Sequence, residues 1–103
     1  MKRAAELDSL IDEMTVDAYN DEEQLAGFLV GAEAALRSGE RATLVGVEVE
    51  VLGVNCGPDA RTGLLAQVRR EEATHEVSLA ELRFTAGSEL GLLVAAYRRW
   101  QGR

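Results

Sequence analysis

Proline, cysteine and histidine occur once each in a chain of 103 residues, and aromatic side chains make up only 5% of it. The lone cysteine, Cys56, closes no internal disulfide and completes no zinc site, which accords with a reducing, cytoplasmic setting. No basic cluster adjoins it in the sequence to lower its pKa, so it reads as a small residue in a turn. No stretch reaches the roughly 20 consecutive apolar residues of a membrane-spanning helix. The basic pair Lys2-Arg3 is followed by no apolar signal-peptide core, so neither secretion by that route nor a membrane partner is expected. Also missing are a Gly-rich phosphate loop, a nucleophile elbow and any His/Cys pair at zinc-ligand spacing, and the chain does not read as an enzyme.

What is present is acid, and it is unevenly placed. Residues 1–40 hold ten carboxylates against three bases, and residues 41–103 hold eight of each, so the net charge of −7 belongs entirely to the first segment. Between Ala4 and Leu36 there is no lysine or arginine. Such a surface repels phosphate backbones and anionic lipid and attracts cations or a basic protein, which argues against a nucleic-acid partner.

The length suits one domain, residues 1–103, and the apolar fraction of 47% suits one with a core. Leu7, Leu10, Ile11 and Met14 form one apolar stripe of a first acidic helix over 1–14. Asn20 followed by Glu23 is a capping-box signal for a second helix over 20–38, with Asp21, Glu22 and Glu23 at the positive end of its dipole. Leu25, Phe28, Leu29, Ala32, Ala35 and Leu36 keep its helical spacing. Gly27 and Gly31, four apart, leave a narrow face open to close backbone approach, and Gly39 reads as a left-handed C-cap.

Beyond Gly39 the period becomes two and the residues β-branched. Strands are expected at 42–45 and 47–51, the latter with Val47, Val49 and Val51 on one face and Glu48 and Glu50 on the other. A turn over 55–60 precedes a hairpin of strands 63–69 and 74–79, whose tip is 70–72, and a tight turn near Leu79 leads to a short strand at Arg83-Phe84. The fold class is α+β, a small twisted antiparallel SH3-like barrel or sheet over 42–84, flanked by N-terminal helices and a C-terminal one. That last helix, over 88–101, has Ser88 as its cap, Leu90, Leu93, Val94, Tyr97 and Trp100 as its apolar stripe, and Arg98, Arg99 and Arg103 at its negative end.

Oxygen chemistry is the one kind the residues favour. Calcium takes six to eight oxygen ligands, and Asp17, Asn20, Asp21 and Glu22 crowd an acid-rich connection beside a helix start. The EF-hand spacing is missing, so any site there is assembled by the fold, and a solvated face complementing the helix dipole is the plainer reading. His75, on the strand parity of Val77 and Leu79, reads as a buried or half-buried, hydrogen-bonded histidine. Arg69-Arg70 and Arg98-Arg99 fit a hairpin tip and a helix end better than a docking patch.

The run Thr15-Val16-Asp17-Ala18-Tyr19-Asn20-Asp21-Glu22-Glu23-Gln24-Leu25-Ala26-Gly27-Phe28 resembles the opening signature of the CcbP-type family of small acidic calcium-binding proteins known from cyanobacteria. Gly46-Val47-Glu48-Val49-Glu50-Val51-Leu52-Gly53 resembles that family's first long strand, Val77-Ser78-Leu79-Ala80-Glu81-Leu82 resembles its later strand and turn, and the closing helix also ends in aromatics. The matches span 15–100 in order. The resemblance implies a compact α+β domain that binds calcium through surface carboxylates, with Asp17, Asp21, Glu22 and Glu23 at the matching positions. It departs in the loop after the long strand, where acids are replaced by Asn55-Cys56-Gly57-Pro58-Asp59-Ala60-Arg61, so a ligand role for Asp59 is not expected. The implied function is a calcium buffer or weak sensor. The alternative is an SH3-like interaction module whose acidic surface docks a basic partner without metal.

Overall fold

The computed structural model describes residues 2–59 and 61–102. Met1, Ala60 of the expected turn and Arg103 of the expected helix end lie outside the described residues. The elements follow in the order α1 (Lys2–Met14), α2 (Asp21–Ala35), β1 (Arg41–Leu44), β2 (Val47–Cys56), β3 (Leu64–Arg70), β4 (Ala73–Ser78), a 3-10 turn at Leu79–Glu81 and α3 (Glu89–Trp100). None of the helices is long and apolar enough to cross a membrane.

Local signals set most of these boundaries. The Asn20 side chain accepts the Glu23 amide at 2.8 Å and the Ser88 hydroxyl accepts the Gly91 amide at 3.0 Å, so α2 and α3 each begin at a satisfied cap. The far end of α2 differs from expectation. The helix stops at Ala35 because Leu36 turns extended and packs against the core, and Gly39, with φ of 78°, serves a turn closed by the Glu40 amide on the Arg37 carbonyl.

Strands β1 to β4 form an antiparallel sheet in sequence order, not the closed barrel that was the sharper form of the expectation. The expected strand at Arg83-Phe84 is reduced to a bridge between Arg83 and Thr43, which exchange amide-to-carbonyl bonds of 2.8 and 2.9 Å. Strand β2 runs longer than its alternation indicates. Its register slips between Val51 and Gly53, so the core-facing residues change from Val49 and Val51 to Val54. That bulge at Leu52 ends the sequence pattern without ending the strand, and it leaves Cys56 exposed at the end of β2 and not in the turn.

His75 is a second correction, since it is exposed. Its register partner Val68 is buried, so the histidine is on the core side of the sheet as its parity implies. It lies at the hairpin end of an edge strand, while the helices pack against β2 and the 3-10 turn, leaving nothing to cover it.

The core joins Leu25, Phe28 and Ala32 of α2 to Val49, Val51, Leu64 and Val68 of the sheet and Leu90, Val94 and Tyr97 of α3. Phe28, Tyr97 and Trp100 make a mutually contacting trio with centroids 5.1–6.0 Å apart. The Tyr97 hydroxyl accepts the Leu64 amide at 2.8 Å and so ties α3 to the start of β3. Arg98 donates to the Ala80 and Leu82 carbonyls, and Arg69 and Arg99 pair with Glu50 and Asp8, so these three arginines are used within the fold.

Helix α1 lies on α3 and α2 through Leu7, Leu10, Ile11 and Met14. A side chain on Gly27 would overlap the Met14 carbonyl oxygen, and one on Gly31 would overlap the Met14 sulfur. The two glycines thus do what their spacing indicates. Gly27→Ala is expected to destabilise the protein by about 1–3 kcal/mol, an overpacking penalty that outweighs the roughly 1 kcal/mol by which alanine favours a helix. Denaturant unfolding measures this, and an unchanged or raised midpoint would show that α1 does not seat there.

Candidate functional site

The acidic connection between α1 and α2 is built by local bonds. The Thr15 amide and hydroxyl both donate to the Ile11 carbonyl, and the Ala18 amide donates to Thr15, so the chain continues turning past Met14. Asp17 follows in the left-handed region, with φ of 59°, which a short polar side chain tolerates better than most. Asn20 is extended and caps α2, and the Glu23 carboxylate reaches back to the Tyr19 amide at 3.4 Å, one residue short of the usual capping-box donor.

Asp17, Asp21, Glu22 and Glu23 are all exposed. Among the described residues the side chains of Asp17, Asp21 and Glu22 have no hydrogen-bond or ion-pair partner, whereas Glu23 is partly engaged by Tyr19. Among the described residues there is no group of three or more His, Cys, Asp or Glu side chains close enough to hold a metal ion. The residues therefore fit calcium in the kind of donor, free carboxylate oxygen, but not as a ready-made cage. The position adds a penalty: the amino end of α2 carries the positive pole of its dipole, which favours these carboxylates and opposes a cation held by them.

The turn also displays apolar surface. Val16 is 69% and Tyr19 88% exposed, so the acids are interleaved with a valine and a phenol that none of the described residues covers. A cleft of about 420 Å³ lies elsewhere, between Glu6 of α1 and the segment from Arg83 through Ser88 to Leu92, and none of the four candidate ligands lines it.

The loop after β2 closes on itself. The Asp59 carboxylate accepts the Thr62 amide at 2.8 Å and the Thr62 hydroxyl at 2.9 Å, while the Gly57 amide donates to Gly63. The Asp-x-x-Thr spacing of Asp59 and Thr62 is the signal that carries this turn past the 55–60 bounds expected from the sequence. The Thr62 amide, then its hydroxyl, holds the Asp59 carboxyl below its ordinary pKa. Asp8 is lowered likewise by its hydrogen bond from Arg99.

Because both folded values are depressed, the stability they lend is present above the ordinary carboxylate range and is lost as pH falls through the folded values. In Thr62→Val the Asp59 carboxyl, followed by NMR titration, is expected to titrate higher than in the parent. It is expected to stay below the ordinary value, since the larger contribution, the backbone amide, is kept. No upward shift would show that the hydroxyl bond does not form.

No protein-family model and no curated protein sequence matches this chain. Among solved structures it is similar to the crystal structure of Anabaena CcbP, with a TM-score of 0.74 at 17% identity over 99% of this chain and 90% of that one. It is equally similar, with a TM-score of 0.74 at 17% identity, to a calcium-binding protein in its calcium-binding form, over 94% of this chain and 90% of that one. At that identity the likeness establishes a shared fold, and it is the fold that the sequence resemblance implied.

Proposed function

From that shared fold we propose that the chain binds calcium weakly through its surface carboxylates and serves as a buffer or modest sensor in a reducing cytoplasm. The observation that carries the proposal is the confinement of the net negative charge to the first forty residues, with Asp17, Asp21 and Glu22 exposed beside Glu23 and unpaired among the described residues. The structural neighbour that is a calcium-binding protein in its calcium-binding form supports the choice of ion. These four residues are the proposed ligands. Since they are not gathered in advance, water completes most of the coordination shell and the affinity falls near the weak end for protein sites, a Kd of about 10⁻⁴–10⁻³ M. The proposed role is non-catalytic.

Calorimetric titration with calcium is expected to give weak binding that fades as salt rises from low to physiological concentration. Asp17→Asn with Asp21→Asn is expected to reduce it at least threefold while leaving the fold intact. Absence of both heat and any calcium-dependent rise in Tm at millimolar calcium would remove the proposal.

The exposed Tyr19 and Val16 favour a second reading, in which the same acidic turn docks a basic protein segment without metal. There, a synthetic amphipathic peptide bearing lysine and leucine is expected to bind in the presence of chelator and to lose at least fivefold in affinity with Tyr19→Ser. Equal binding by parent and variant would leave the turn no part in docking.

A further inference from the structure

The two edges of the sheet are treated differently. At one edge, β1 is joined to Arg83 by a pair of backbone bonds at Thr43. At the other, β4 has β3 on one side and, among the described residues, no backbone partner on its outer side, and 73–76 are all exposed. A free edge is a template for another strand, and proteins commonly blunt it with a proline, a bulge or a covering loop. Strand β4 has no proline, and its register with β3 is unbroken from Arg70↔Ala73 to Leu65↔Ser78.

The geometry also identifies the groups on offer. The tip between β3 and β4 is the two-residue turn Glu71-Glu72, with Glu71 at φ of 57°. In such a hairpin the closing pair, Arg70 and Ala73, exchanges both backbone bonds, and the bonded pairs then alternate through Val68 with His75 and Ala66 with Val77. The amides and carbonyls of Thr74 and Glu76 are therefore directed outward. Acid outweighs base beside them: among the described residues the side chains of Glu71, Glu72 and Glu76 have no ion-pair or hydrogen-bond partner, Arg69 opposite Thr74 is taken by Glu50, and Arg70 at the tip is a single opposing charge.

We infer that the outer edge of β4 is a docking site for an extended basic segment of a partner protein, which adds to the sheet as a fifth strand. Main-chain bonds to Thr74 and Glu76 hold the segment. Its basic side chains stand beside Glu76 and the Glu71-Glu72 tip, and its alternate apolar side chains lie on the core side next to Val77. This surface is separate from the acidic turn before α2 and does not depend on calcium.

The test uses an acetylated, amidated octapeptide of alternating lysine and valine, titrated into the full chain in chelator, with an alternating glutamate and valine peptide as control. Binding of the lysine peptide alone is expected, with slowed hydrogen exchange at the Thr74 and Glu76 amides. Glu76→Pro removes an outward amide without breaking a β3–β4 bond and is expected to weaken binding at least tenfold. Glu76→Lys, which leaves the backbone intact, is expected to weaken it at least threefold and keeps the test sound should the proline disturb folding. No binding, binding indifferent to both substitutions, or protection centred on 17–23 and not on 73–77 would overturn the inference.

Discussion

The seating of the Met14 carbonyl against the bare α-carbon of Gly27 fixes the rest of the helical layer. Helix α2 lies against β2 and is capped independently by Asn20, so α1 is the element whose placement needs explaining. A glycine at 27 lets the last turn of α1 come within backbone contact of α2, and a glycine at 31 receives the Met14 side chain in the same groove. The acidic connection has to leave from that point. Its six residues, 15–20, span the gap between a helix end fixed by packing and a helix start fixed by a cap, which leaves Val16 and Tyr19 outside.

A segment with ten carboxylates and three bases works against its own compaction, because like charges on adjacent helices repel. The structure relieves this in two limited ways. Asp8 of α1 takes Arg99 from the last turn of α3, importing a cation from the balanced half of the chain. Asp21, Glu22 and Glu23 sit at the positive pole of α2, where their charge is favourable. The exposed Asp8–Arg99 pair is screened by solvent and contributes little to stability, so the α1–α3 contact rests on Leu7, Leu10 and Ile11. Glu40 is half-buried and accepts the Ser88 hydroxyl, while Glu6, Asp12, Glu13, Asp17 and Glu33 are exposed and sustain a negative field outside the helical layer.

Features carried by a few neighbouring residues were legible in the sequence. The caps at Asn20 and Ser88, the glycine pair at 27 and 31, the Leu90 to Trp100 stripe and the hairpin at 71–72 all depend on side chains within one or two turns of each other. Features that require distant parts to meet were not. Alternation stops at Leu52 because a bulge changes which face is buried, and only the pairing with β3 shows that β2 continues. His75 has the parity of a core residue, but burial also needs a covering helix, and parity carries no information about that. Barrel closure failed for a related reason: Arg83 meets Thr43, but the chain turns away toward Ser88 before a ladder can grow. Convergence of carboxylates belongs to the same class, since spacing puts Asp17, Asp21, Glu22 and Glu23 near one another in the chain without directing their oxygens to one point.

A shared fold at 17% identity constrains the apolar interior and leaves surface oxygens free to change. The loop after β2 illustrates the consequence. Its one aspartate is bonded to Thr62 and shapes the turn, so that carboxylate serves as a structural element. The acids at the start of α2 differ in that they have a use whatever the protein binds, because they offset the dipole of a helix that the core needs. An ion that recruits them must therefore compete with the pole they already satisfy. Asp17 has no such use. It stands before the helix, in a left-handed turn and unpaired among the described residues, and of the four candidate ligands it is the one that lies outside the first turn of α2.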